Sequence, residues 1–176
     1  MDRAQLYKLT ELIVAEVVRR IAQEERRRQH PEQVLVLLAD SVSFPEKLQQ
    51  TLNEQFGVAY TPVSIPETNT FADEALLYAG KLEPGGLLER VKEAKTVILV
   101  SPRLELLRRI ASGDDGDPLS HLLVRAILWQ KDVRVYLDYE PPRLRRNTFL
   151  ADTAEAIDPL RQMAVTVCPY FALAPQ

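Results

Sequence analysis

The run Val97-Ile98-Leu99-Val100 constrains this chain more than any other stretch. Four consecutive apolar residues leave no solvent-facing side, so the segment reads as a strand buried on both faces. Ser101-Pro102 stops it, because proline has no amide N–H to give a sheet ladder. A helical pattern begins at once: Leu104, Leu107 and Ile110 share a face, and Arg108 and Arg109 turn away from it. Gly113 ends that helix, and Asp114-Asp115-Gly116-Asp117 makes a polar turn into the next one. In open α/β sheets such strand–turn–helix corners collect ligands, since helix N-termini present free N–H groups and partial positive charge.

The remaining segments repeat this alternation. Val34–Ala39 is a buried strand, Asp40-Ser41-Val42-Ser43 its terminal turn, and Pro45 opens a helix whose inner face is Leu48, Leu52 and Phe56. Val58–Ile65 is the second strand, and Pro62 in it points to an edge or a bulge. Phe71–Gly80 reads as a short helix and Leu87–Ala94 as another. Pro118–Trp129 is strongly helical, Val133–Leu137 is the next strand, Ala151–Gln162 is a helix, and Val165, Val167 and Cys168 belong to a last strand. The expected fold is α/β: a Rossmann-like (flavodoxin-like), doubly wound parallel sheet of about five or six strands with right-handed crossovers.

Residues 3–28 add an amphipathic helix ahead of that sheet, with Leu6, Leu9, Ile13, Val17 and Ile21 every three or four positions. Pro31 ends it by disfavouring helical geometry at His30. The expected division is residues 1–30 as helix and linker and residues 31–176 as the α/β domain. The apolar stripe has to be covered by its own domain, by copies of itself, or by a partner protein.

Composition narrows the function classes. A net charge of −3 over 176 residues gives no basic bias toward nucleic acid. The clusters Arg26-Arg27-Arg28 and Arg143, Arg145, Arg146 read as solvated surface. Cys168 is the only cysteine, so no intramolecular disulfide forms and a reducing, cytoplasmic setting is expected. No apolar run reaches the roughly 18 residues of a membrane span, and the charged N-terminus is unlike a secretory signal. Two separated histidines, His30 and His121, and one cysteine make no metal site, and Asp114, Asp115 and Asp117 read as a turn with a helix cap. Neither a Walker A motif nor GxGxxG is present, and no strong catalytic signature appears.

The segment SPRLELLRRIASGDDGDPLS resembles the motif region of the flavoprotein family that comprises the flavin-dependent cysteine decarboxylases, phosphopantothenoylcysteine decarboxylase and the flavin prenyltransferases. Pro102, Ile110, Ala111, Gly113, Asp117, Leu119 and Ser120 fall into register with it, and the similarity extends over most of residues 33–170. The resemblance implies FMN as cofactor, its phosphate resting on the turn after the first strand and on a hydroxyl at the end of the second. The matching positions are Ser41 and Ser64, with Ser43 nearby and Ser101, Pro102, Arg103 and Glu105 in the central turn. Hydroxyls, backbone N–H groups and an arginine suit an anion. It also implies a homo-oligomer, a trimer or a multiple of one, with the flavin ring between subunits.

Departures from the family pattern matter as much. Asp40 replaces the glycine of the family's Gly-Ser turn, and an aspartate repels a phosphate unless it turns away. Leu87 stands where the decarboxylases carry a catalytic histidine, Glu105 where they carry an asparagine, and Glu140-Pro141-Pro142-Arg143 where they carry Pro-x-Met-Asn. Leucine cannot transfer a proton, so no catalytic residue is assigned and decarboxylation is not expected. The N-terminal helix on its brief linker is similar to the encapsulation sequences of bacterial microcompartment proteins, which implies a shell or cargo partner and a location inside such a compartment. The alternative is a non-catalytic scaffold that has kept the fold and lost the flavin.

Overall fold

The structure, a computed structural model, describes residues 13–15, 17–18, 34–57, 60–66, 76–83, 85–141 and 148–171. The chain divides into two compact units, Met1–Pro31 and Glu32–Gln176. In the first, residues 13–15 and 17–18 are helical, and Ile13, Val14, Val17 and Val18 are exposed. The rest of the helix expected over 3–28, the Arg26–Arg28 run, His30, Pro142 and the arginines 143, 145 and 146 lie outside the described residues. Among those described, no helix is long and apolar enough to cross a membrane.

The second unit is built on a six-stranded parallel sheet of order β3-β2-β1-β4-β5-β6. The strands are β1 (Val34–Leu38), β2 (Tyr60–Ser64), β3 (Leu77–Tyr78), β4 (Thr96–Val100), β5 (Asp132–Leu137) and β6 (Thr166–Pro169). The helices are α1 (Pro45–Phe56), α2 (Gly86–Glu93), α3 (Leu104–Ser112), α4 (Pro118–Leu128) and α5 (Phe149–Gln162).

β1 and β4 lie at the centre and pair in register from Val34↔Thr96 to Leu38↔Val100. Every residue of both is buried, which is why their sequences show no alternation. Successive side chains point to opposite faces and feed two cores. Leu35, Leu37, Val97 and Leu99 join Leu107, Ile110, Leu123 and Ile157 from the α3, α4 and α5 side. Val36, Leu38, Ile98 and Val100 join Leu48 and Leu52 of α1 on the other side.

Local chemistry sets the helix ends. Asp117 caps α4, accepting from the Leu119 and Ser120 amides at 2.9 and 3.1 Å while Ser120 Oγ accepts from the Asp117 amide. Gly113 ends α3 at φ 71°, a left-handed conformation that glycine adopts without strain, and brings the Asp114 amide to the Arg109 carbonyl at 2.9 Å.

The structure departs from the sequence reading between β2 and α2. Of the helix expected at Phe71–Gly80, residues 71–75 lie outside the described residues, Leu77–Tyr78 is strand β3, and a 3₁₀ turn at Ala79–Lys81 follows. A two-residue strand is too short to show a period, and pairing with Val63 and Ser64 defines it. β3 thus makes β2 an inner strand, and β3 is the sixth strand that the segment reading did not place. Pro62 is tolerated in β2 because β3 pairs only with Val63 and Ser64, so beside Pro62 the sheet still ends at β2.

Leu99 is fully buried at the middle of this arrangement. Leu99→Ala is expected to lower unfolding free energy by about 2–5 kcal/mol, read from urea denaturation with an unchanged m-value.

Candidate functional site

Strand order reverses between β1 and β4: β2 and β3 lie to one side, β5 and β6 to the other. This is the switch point at which open α/β sheets leave a crevice beyond the strand ends. The two corners are direct neighbours. The Ala39 amide donates to the Val100 carbonyl at 3.1 Å, and the Ser101 amide donates to the Tyr136 carbonyl at 2.9 Å. The ladder therefore runs one residue past each strand and fixes the corners against each other.

The β4 corner turns sharply. Ser101 has φ 49°, a left-handed conformation uncommon for a residue with a side chain, and Pro102 is buried behind it. Ser101 Oγ is buried and has no hydrogen-bond partner among the described residues. It lies beside the Tyr170 hydroxyl, on which it has a small electrostatic influence. Tyr170 is itself fixed: its hydroxyl accepts from the Phe44 amide at 3.2 Å and its carbonyl accepts from Thr51 Oγ1 at 2.8 Å. Burial pushes the Tyr170 phenol's pKa up, the Phe44 amide opposes this, Asp138 adds to the rise, and the Ser101 hydroxyl opposes it slightly.

The N-terminus of α1 begins at this point, with Pro45 in its first turn and no side-chain cap on its free amides. Ser41 and Ser43 precede it and are exposed. Ser43 Oγ donates to Asp138 Oδ2 from the end of β5. Phe44 and Phe171 meet edge to face at 6.3 Å, both partly exposed, and Lys47 Nζ stands 5.4 Å from the Phe44 ring centre.

A cleft of about 270 Å³ opens at the same end of the sheet, lined by Ala39, Ile65, Arg103, Glu105, Leu106, Arg109, Asp117 and Leu119. Its arginines are paired within the chain. Arg103 Nε lies 2.5 Å from Asp40 Oδ2, and Arg109 Nη2 lies 3.0 Å from Glu105 Oε1. The Arg103 hydrogen bond, then the Ser41 amide, hold the Asp40 carboxyl below the usual carboxylate range.

The structure thus brings Ser41, Ser43, Ser101, Pro102 and Arg103 to the two adjoining corners, and Glu105 to the cleft beside them. Ser64 differs: it ends β2 fully buried, and its hydroxyl donates to the Pro66 carbonyl at 2.7 Å. Sequence reasoning did not find Phe44, Tyr170, Asp138 or Arg109; Tyr170 and Asp138 reach the site from elements far along the chain, while Phe44 beside Ser43 and Arg109 one turn from Glu105 carry no motif that marks them. Burial pushes the Cys168 thiol's pKa up, which disfavours the nucleophilic thiolate. Among the described residues no cluster of His, Cys, Asp or Glu is placed to hold a metal ion.

The donor set suits a phosphate-bearing ligand: a buried hydroxyl without a well-aligned bond, the exposed Ser41 and the uncapped amides of α1. The carboxylates of Asp40 and Asp138 oppose it, and each is already engaged by a donor of this chain.

No protein-family model and no curated protein matches the sequence. Among solved structures, the FMN-dependent cysteine decarboxylase TvaF from thioviridamide biosynthesis is similar with a TM-score of 0.51 at 13% identity, over 77% of this chain and 87% of that one. A dodecameric FMN-dependent UbiX-like decarboxylase from Escherichia coli O157:H7 gives 0.48 at 11% identity, over 77% and 78%. A short-chain dehydrogenase/reductase from Burkholderia vietnamiensis gives 0.39 at 18% identity, over 78% and 83%. The feature shared with TvaF is the architecture, a Rossmann-like parallel α/β sheet with helices on both sides.

Because the folded-state pKa of Asp40 is depressed, the Asp40–Arg103 pair adds stability above the unfolded carboxyl pKa of about 4 and loses it as pH falls through the folded value. Asp40→Asn is therefore expected to unfold at slightly lower urea than the native chain at pH 7. The two midpoints should converge as pH falls below the depressed folded-state value, measured by urea denaturation across acid pH.

Proposed function

We propose that this chain binds flavin mononucleotide, or a closely related phosphate-bearing ligand, at the crevice between the β1 and β4 corners. The observation that carries this reading is the buried Ser101 hydroxyl, which makes no well-aligned hydrogen bond there and has only the Tyr170 hydroxyl beside it. Leaving such a group unpaired costs about 1–3 kcal/mol, and a ligand oxygen accepting from it removes that cost. The uncapped amides of α1, with Ser41, would hold the phosphate, Ser43 joining them only if it leaves Asp138, and the partly exposed rings of Phe44 and Phe171 offer apolar faces for a planar group. Bound flavin supplies a ring that accepts and donates electrons.

Decarboxylation is not part of the reading. Leu87 has no proton to move and packs against the core, and Glu105 is tied to Arg109. A role in redox chemistry or flavin handling remains. Exposed Phe44, Phe149 and Phe171 support self-association as a homo-oligomer, with a trimer taken from the family resemblance. The exposed apolar positions Ile13, Val14, Val17 and Val18 support residues 1–30 as a docking helix, with a microcompartment shell or cargo protein as partner. A second reading, a scaffold without flavin, is favoured by one observation: Asp40 already engages the arginine of the β4 corner.

Titration of the purified chain with FMN tests the reading by flavin fluorescence and visible absorbance. Saturable uptake is expected, and Ser101→Ala should weaken it about tenfold. The same substitution should not lower stability, since it removes an unpaired buried polar group. A colourless protein that takes up no FMN leaves the scaffold.

Deleting residues 1–30 tests the helix. The α/β unit should stay folded while its assembly state changes or its co-localisation with a shell is lost; a truncated chain that keeps both sinks the docking role.

A further inference from the structure

The β1 corner already holds an anion, and the anion belongs to the chain. Asp40 Oδ1 accepts from the Ser41 amide at 2.9 Å, and Asp40 Oδ2 accepts from Arg103 Nε at 2.5 Å. A backbone amide at a strand end and the guanidinium of the neighbouring corner are donors that a bound phosphate would use. The contact joins residues 63 apart in sequence, so the fold, not local chain geometry, brings them together. The surrounding charge is matched as well: Glu105 holds Arg109 one turn along α3, and Asp117 caps α4 at the cleft's edge.

We propose that Asp40 is a specificity-determining residue that competes with the ligand's phosphate for Arg103 and the Ser41 amide. The proposal rests on the flavin reading above and deepens it. The phosphate reaches these two donors only by displacing the Asp40 carboxylate, so part of what the phosphate contributes to binding is offset, a cost that the same ring without phosphate does not meet. The pair is able to yield because Arg103 is 80% exposed and Asp40 one-third exposed, so water receives the carboxylate when it leaves.

A double-mutant cycle on the full chain tests this, with FMN and riboflavin as the two probes. Asp40→Asn keeps an oxygen for the Ser41 amide and removes the charge; Asp40→Ser serves if the first variant is poorly folded. The expected result is FMN binding about tenfold tighter in Asp40→Asn than in the native chain, with riboflavin binding unchanged within about twofold. In the Arg103→Gln background the gain for FMN should vanish, because no guanidinium is left to release. FMN bound by the Asp40 variant alone supports the competition in its extreme form and gives the native chain the scaffold role. A gain that persists without Arg103, or one equal for riboflavin, overturns the competition and leaves the flavin reading standing. Unchanged FMN affinity in Asp40→Asn does the same. FMN binding by neither protein overturns both.

Discussion

The in-register pairing of β1 with β4 is the constraint on which the rest of the molecule depends. Both strands are buried along their whole length, and a slip of one residue would send each side chain to the wrong core. Leu35 and Leu37 pack with Leu99 on one face, whereas Val36 and Leu38 pack with Val100 on the other. The register in turn fixes the corners. The Ala39 amide meets the Val100 carbonyl, and Asp40 and Ser101 leave the sheet from neighbouring points.

Those corners are furnished unequally. Around Ser101 the one carboxylate, Asp138, is held by Ser43, and one hydroxyl is poorly matched: Tyr170 accepts from the Phe44 amide with its oxygen and from Thr51 with its carbonyl. Around Arg103 and Arg109 nothing is left over, because each guanidinium has its own carboxylate. An unpaired buried hydroxyl is a cost that the fold carries, while a solvent-exposed ion pair is close to neutral. The orphan therefore says more about a ligand than the two arginines do, although the arginines are the more conspicuous feature of the sequence.

What could be read from the sequence follows from how local each signal is. The runs at Val34–Leu38 and Thr96–Val100 announce buried strands by themselves, and Asp117 with Ser120 announces a helix cap within four residues. Gly113 marks a helix end by the one conformation it is suited to. β3 carries no such signal, because a pair of residues has no period and its identity as a strand comes from Val63 and Ser64. The same holds at the site. Ser41, Ser101 and Arg103 are found because turns follow strands, but Tyr170 and Asp138 arrive from the last two strands, and nothing near them in the chain foretells it. Ser64 shows the converse: its position at a strand end is legible, yet its hydroxyl is consumed by Pro66 two residues on.

The two halves of the crevice are joined by three residues, Ser101-Pro102-Arg103. Pro102 is buried and its ring fixes its own backbone angle, so the corner has little freedom to rearrange. A ligand that draws on Ser101 is therefore brought to a corner whose arginine is already committed, and the question of affinity reduces to an exchange of one anion for another. An exposed carboxylate returns to water at little cost, while a phosphate offers more charge and more acceptor atoms to the same donors. The chain's own carboxylate keeps Arg103 at the corner until that exchange, which is a use for an aspartate at a position where phosphate binding alone would favour a residue without charge.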